Sequence, residues 1–99
     1  MNPAYAKILE EDQRLVILRS LKDTNGTAND SVLQTMLQAY GHTISRDKVK
    51  THLHWLNEQG LVTIDSILST DIATITGRGH DVATGSAKVP GVGAPRPGA

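Results

Sequence analysis

The chain has no cysteine and no phenylalanine, only one tryptophan and two tyrosines, and no surplus of either charge. Each absence removes a class of answer. Without cysteine there are no disulfides, no thiolate nucleophile and no cysteine-based zinc site. Ten basic residues balance ten acidic ones, so net charge lends no support to the counterion release that drives most duplex-DNA binding. The longest unbroken apolar run, Leu15–Leu18, is far too short to span a bilayer. The opening Met1-Asn2-Pro3-Ala4-Tyr5-Ala6-Lys7 leads into no long apolar stretch. No secretory signal is therefore expected, and the cytoplasm is the default location. A chain of 99 residues has room for one domain and one core.

What is present is periodicity, interrupted at regular intervals by caps and turns. Asn2 and Pro3 supply a cap and a pre-set first turn, and Tyr5, Ile8 and Leu9 follow at helical spacing. After the polar patch Glu10–Gln13 come Leu15, Val16, Ile17, Leu18 and Leu21, too many for one apolar stripe. Asp12 is placed to cap a second helix, so this stretch reads as one bent helix or two. Its surplus apolar surface must meet either a sheet of the same chain or another subunit. Lys22–Gly26 is a turn cluster, and a cap at Asn29 or Asp30 opens the next helix, which carries Leu33, Met36, Leu37 and Tyr40 on one side and ends at Gly41. Only His42-Thr43-Ile44 separates it from the cap Ser45 and a helix bearing Val49, Leu53 and Leu56, which closes at Gly60. Two short amphipathic helices joined by such a turn form a helix-turn-helix.

Beyond Gly60 the period falls to two. Leu61, Thr63 and Asp65 alternate with Val62, Ile64 and Ser66, and Ile72–Ile75 forms a second run. Ser69-Thr70-Asp71 reads as the turn of this hairpin, and Thr76 as the cap of a short helix anchored by Val82 and Ala83. From Gly85 the composition changes to Gly, Pro, Ala and Val, with three prolines, so little burial is expected and an extended, mobile end is predicted.

Particular residues carry a family resemblance. The run from Leu9 to Leu21, with its Arg14-Leu15 pair before Ile17-Leu18, resembles the opening helix of ArsR-type repressors. Ser45–Val49 followed by His52–Val62 looks like a recognition helix running into a first wing strand. Ala73-Thr74-Ile75-Thr76-Gly77-Arg78-Gly79 is similar to the segment that leaves the wing. Over its whole length, including Val89-Pro90-Gly91-Val92 and Pro95-Arg96-Pro97-Gly98, the chain resembles a family of short winged-helix proteins of Mu-like phages and prophages. The expected fold is therefore mainly α with a small β-hairpin: a winged helix-turn-helix in the order α-α-α-β-β-α. It would occupy residues 1–84, followed by a Pro/Gly-rich flexible tail over residues 85–99. No ArsR-like metal site carries over, because the cysteines are missing.

On that fold the helix from Arg46 to Gln59 is the candidate DNA reader. Arg46, Lys48, Lys50 and Thr51 lie in its N-terminal half, the part that enters a major groove. Arg78 beyond the wing, with Lys7 or Arg14, is a candidate phosphate contact. Asp47 and Glu58 on the same helix oppose the reading, and the wing offers acids rather than cations. Trp55, Leu15 and Ile17 are candidate partner-binding residues, through a hot spot or a homodimer of first helices. The tail is a candidate ligand for a groove on a protein partner. His42, His52, His54 and His80 show no metal-ligand spacing, and no nucleophile–base motif or phosphate-cradling loop is present. Hence neither an enzyme nor a bound cofactor is expected, and no membrane partner. Two functions stand: a DNA-binding phage or prophage regulator or DNA-organising factor, and a winged-helix module that binds protein instead.

Overall fold

A computed structural model describes residues 2–96. The elements run α1 (Pro3–Asp23), β1 (Thr27–Asn29), α2 (Asp30–Ala39), α3 (Arg46–Glu58), β2 (Val62–Ile67), β3 (Thr70–Ile75) and α4 (Gly77–Thr84). The expected order is present, with one strand added. Antiparallel strands in the order β1-β3-β2 form the sheet, and β2–β3 is the wing of a winged helix-turn-helix.

Local chemistry accounts for the helix starts. The Asn2 side chain accepts from the Ala4 N–H at 2.8 Å, with Pro3 in the first turn. Asn29 accepts from Val32 N–H at 2.8 Å, Ser45 from Lys48 N–H at 3.0 Å, and Thr76 from Gly79 N–H at 3.0 Å. Asp12 caps nothing. It accepts a hydrogen bond from His42 Nε2 at 2.6 Å, and α1 runs unbroken through it.

α1 lies against α2, α4, β1 and β3, which explains why Leu15–Leu21 carries more apolar residues than one stripe needs. Val16, Ile17, Leu18 and Leu21 meet Leu33 and Leu37 of α2, Val49, Leu53 and Leu56 of α3, and Val82 and Ala83 of α4 in one core. Leu15 and Ile17 are 5% and 0% exposed, so their place on a partner-binding surface is corrected: the chain covers them itself. Dry contact of this kind is worth about 1.5–3 kcal/mol for each fully buried large aliphatic side chain.

Three further expectations change. β1 was not anticipated, because three residues are too few to show a period; Thr27, Ala28 and Asn29 pair with Thr74, Ala73 and Ile72. The hairpin turn is Leu68-Ser69 rather than Ser69–Asp71, since Ile67 pairs with Thr70 and Ser66 with Asp71. Polar residues at the start of β3 belong to the ladder, where Ser66 Oγ donates to Asp71 Oδ1 at 2.7 Å.

The third change concerns the tail. Past a left-handed Gly85, Ala87 N–H reaches the Asp81 carbonyl at 3.1 Å, and Val89 enters the core at 6% exposure. Gly93 N–H then donates to the Glu11 carbonyl at 3.0 Å. Residues 85–96 thus form a strap folded back on α1, where little burial had been expected; residues 97–99 of the predicted tail lie outside the described residues. Prolines forbid a ladder, but they do not prevent side chains such as Val89 from packing.

Candidate nucleic-acid interface

The site is organised by a buried carboxylate. Because Asn29 takes the capping role, Asp30 at the first position of α2 is free to turn inward, and it is fully buried. Its Oδ1 accepts from Arg46 Nε at 2.9 Å, and its Oδ2 lies 3.0 Å from Lys50 Nζ and accepts from the Asp71 N–H at 3.0 Å. Arg46 and Lys50 reach one carboxylate because they stand one turn apart on α3. Arg46 also donates to Thr70 Oγ1 at 3.1 Å, and Lys50 to the Ser69 carbonyl in the wing turn. Helices α2 and α3 and the wing are thereby held together at one point. Burial alone would raise the Asp30 pKa, but the Asp71 N–H and the two cations outweigh it and hold the carboxyl below its ordinary 3.8. Two cations share one carboxylate, and the side chains of Arg46 and Lys50 keep 43% and 26% exposure.

The other expected contacts disperse. Lys48 Nζ turns to α1 and donates to Glu10 Oε1 at 2.8 Å, a bond that holds the Glu10 carboxyl below its usual range. Thr51 stays exposed on α3, its hydroxyl donating to the Asp47 carbonyl at 3.2 Å. Arg78 is exposed on α4, at the base of the hairpin, whereas Arg46 and Lys50 touch its tip, at the opposite end of a six-residue ladder about 17 Å long. Asp47, Lys50, Thr51, His54, Trp55 and Glu58 line an open groove along α3. Within it, His54 Nε2 donates to Asp71 Oδ2 at 3.0 Å. The Ser66 hydroxyl, more than that imidazole, keeps the Asp71 carboxyl below its ordinary pKa.

Trp55 sits where α3 meets the strap. The Arg14 guanidinium lies 4.1 Å from its ring centroid, a cation–π contact, and donates to the Gly91 carbonyl at 2.9 Å. Gly91 has φ +97°, and a Cβ there would stand 2.6 Å from the indole carbons. Arg14 Nε also donates to His52 Nδ1 at 3.2 Å, while His52 Nε2 faces Gln13 Oε1 at 2.8 Å. That pair of partners demands a neutral imidazole protonated on Nε2. Burial, reinforced by the Arg14 charge, lowers the His52 pKa from 6.5 to about 4. The indole is thus engaged within the chain by Arg14 and Gly91 while it also lines the α3 groove.

Asp30 and Leu68 are the residues that sequence reasoning passed over. Two capping residues in succession, Asn29 and Asp30, were the signal for the first, since one of them is left free for other work. For the second it was an Ile67-Leu68 pair where a hairpin turn calls for polar residues. Among the described residues, no three His, Asp or Glu side chains gather as a metal site.

The fold and this clamp define a small winged-helix domain whose third helix is pinned to its wing. The chain belongs to the family of a phage protein: over 90 residues it is 56% identical to the "Uncharacterized protein gp26" of Escherichia phage Mu, spanning 91% of this chain and 94% of that one. A protein of Haemophilus influenzae is 48% identical over 64 residues, 65% of this chain and 63% of its own length. No protein-family model matches the chain, and no solved structure matches it.

Proposed function

We propose that the chain is a DNA-binding winged-helix protein of a phage or prophage, acting in the cytoplasm as a transcriptional regulator or DNA-organising factor. It is read as a binding protein, with no catalytic role. The observation that carries the reading is the Arg46–Lys50–Asp30 clamp, which holds two partly exposed cations at the N-terminal end of α3, beside the wing turn. That end of the helix enters the major groove in this architecture, where such cations meet phosphate or base edges. Thr51, the residue after Lys50, is the neutral member of the surface. Lys48 and Arg78 are secondary, the first engaged by Glu10 and the second at the far end of the wing. If two copies bind together through α1, Tyr5 and Ile8 are the exposed apolar residues left to join them.

Replacing Arg46, Lys48 and Lys50 with alanine would strip the partners from Asp30 and confound binding with folding. Charge reversal at exposed positions avoids this. Asp47→Lys with Glu58→Lys should tighten duplex binding and steepen its salt dependence by about two counterions in a fluorescence-anisotropy titration. Wild-type chain that shows no salt-sensitive binding would sink the reading. A second reading, a module that binds protein, is favoured by one observation: Asp47 and Glu58 are exposed along the α3 groove. It predicts that the same double variant loses a basic partner rather than gaining DNA.

A further inference from the structure

We propose that the tip of the β2–β3 hairpin is an apolar wedge that enters the minor groove of duplex DNA and unstacks a base step there. The proposal rests on reading the α3 face as a DNA interface and adds a second contact of different chemistry. Leu68 is 100% exposed and its neighbour Ile67 is 53% exposed, so the hairpin ends in aliphatic surface that the fold does not use. Leu68 also has φ +56°, at a turn position where two-residue hairpins ordinarily place glycine, asparagine or aspartate. Its Cβ makes that conformation unfavourable, and its side chain is left in water. Glycine would remove both costs. Neither is recovered inside the chain, and an unfavourable local choice of this kind marks a surface made for a partner.

The residues around the tip argue for nucleic acid as that partner. Ser69, the other turn residue, has its carbonyl held by Arg46 and Lys50, which places two cations at the base of the wedge and fixes its direction relative to α3. The nearby Asp71 carboxylate is turned inward onto Ser66 and His54. Asp65 is exposed, but it pairs with Ile72, two steps back from Ile67 along the strand. Leucine and isoleucine side chains flanked by cations are what minor-groove proteins insert between base steps, kinking the duplex as they do so. Held to the N-terminal end of α3 by Arg46 and Lys50, the tip would meet the duplex beside the groove that α3 enters. A wedge of this kind needs no basic residues on the strands, which answers the acidity of the wing.

The test uses the full chain and a short duplex carrying donor and acceptor dyes at its ends and an internal 2-aminopurine. Wild-type protein should raise energy transfer, as the ends approach, and raise 2-aminopurine emission, as a step unstacks. Leu68→Gly, which suits the turn, should keep the circular dichroism and Trp55 emission of the wild type. It should also bind about tenfold more weakly, the loss expected on withdrawing one leucine from a dry contact, and lose both signals. Leu68→Met should retain them. A glycine variant that binds and bends like wild type overturns the wedge while leaving the α3 interface standing, as does wild-type binding without either signal. Absence of salt-sensitive DNA binding by the wild type removes the interface reading itself, and the wedge with it. Leu68-dependent binding to anionic vesicles, with DNA binding unaffected by the glycine variant, also overturns the proposal.

Discussion

The wing tip and the C-terminal strap are both irregular segments with a residue at positive φ, and they resolve opposite problems. In the strap, besides the helix-ending Gly85, it is Gly91, whose missing Cβ lets the backbone lie against Trp55, while Val89 is buried nearby. In the wing it is Leu68, whose Cβ strains the turn and whose side chain is wholly in water. In the strap, Gly91 and Val89 both agree with the fold around them. The wing tip disagrees with its own turn, and disagreements of that sort concentrate where a protein meets something else. The strap is thus part of the folded unit and the tip is part of its surface chemistry.

The comparison breaks most severely at Asp30, which ties the wing end to α3. Asp30→Ala leaves Arg46, Lys50 and the Asp71 N–H without their shared acceptor. It should lower stability by about 3 kcal/mol, the lower end for a broken buried pair because both cations keep solvent access. Thermal denaturation measures the loss, and an unchanged midpoint would remove Asp30 from its place as the organising group.

Acid acts next, at the strap end. His52 is held neutral, with its pKa lowered from 6.5 to about 4. As pH falls through that window the unfolded chain takes a proton that the native imidazole refuses, so stability drops, by about 3 kcal/mol by pH 4. Urea titrations from neutral pH to pH 4 should show this slope, and His52→Gln should flatten it. The lowered carboxyls of Glu10, Asp30 and Asp71 add a separate loss further down. Their contribution is complete above the ordinary carboxylate range and is lost as pH falls through their folded values.

Gly91→Ala sharpens the contrast between the two positive-φ residues. It adds a Cβ 2.6 Å from the indole and should cost about 1–2 kcal/mol. Because Trp55 is the single tryptophan, a red shift of its emission reports whether the strap has lifted. Wild-type emission with wild-type stability would show that the strap does not bear on the ring. The smallest effect is expected at the tip: Leu68→Gly should stay within about 1 kcal/mol of wild type, relief of strain offsetting the flexibility of an unfolded glycine. A larger loss in a melting curve would mean that the leucine serves the fold after all.

Most of the helices were legible in the chain because caps and apolar spacing act over a few residues. Asn2, Ser45 and Thr76 cap the helices they were expected to cap, and Val49, Leu53 and Leu56 face the core as their spacing requires. Asp12 was ambiguous for a physical reason: a carboxylate suited to capping is equally suited to His42, and only packing chose between them. The site was half legible. Its cations could be named, but not their partners, so Lys48 was grouped with Arg46 and Lys50 although it belongs to Glu10. The burial of Val89 was not legible, because composition speaks of backbone freedom and says nothing of a waiting apolar surface.

By itself, then, the order of residues determined what short-range forces determine: where helices begin and end, that a hairpin follows them, and which faces must be covered. Only the tertiary structure decided what covers them. Arg14 meets His52 and Gly91 across 38 and 77 positions, and Asp30 meets Arg46 and Asp71 across 16 and 41. Pairings at such separations depend on the closure of the whole chain around α1, and no local pattern of residues encodes them. The helix-turn-helix is therefore written in the sequence, while the clamp that gives it a charged face and the strap that completes its core arise only when the chain has closed.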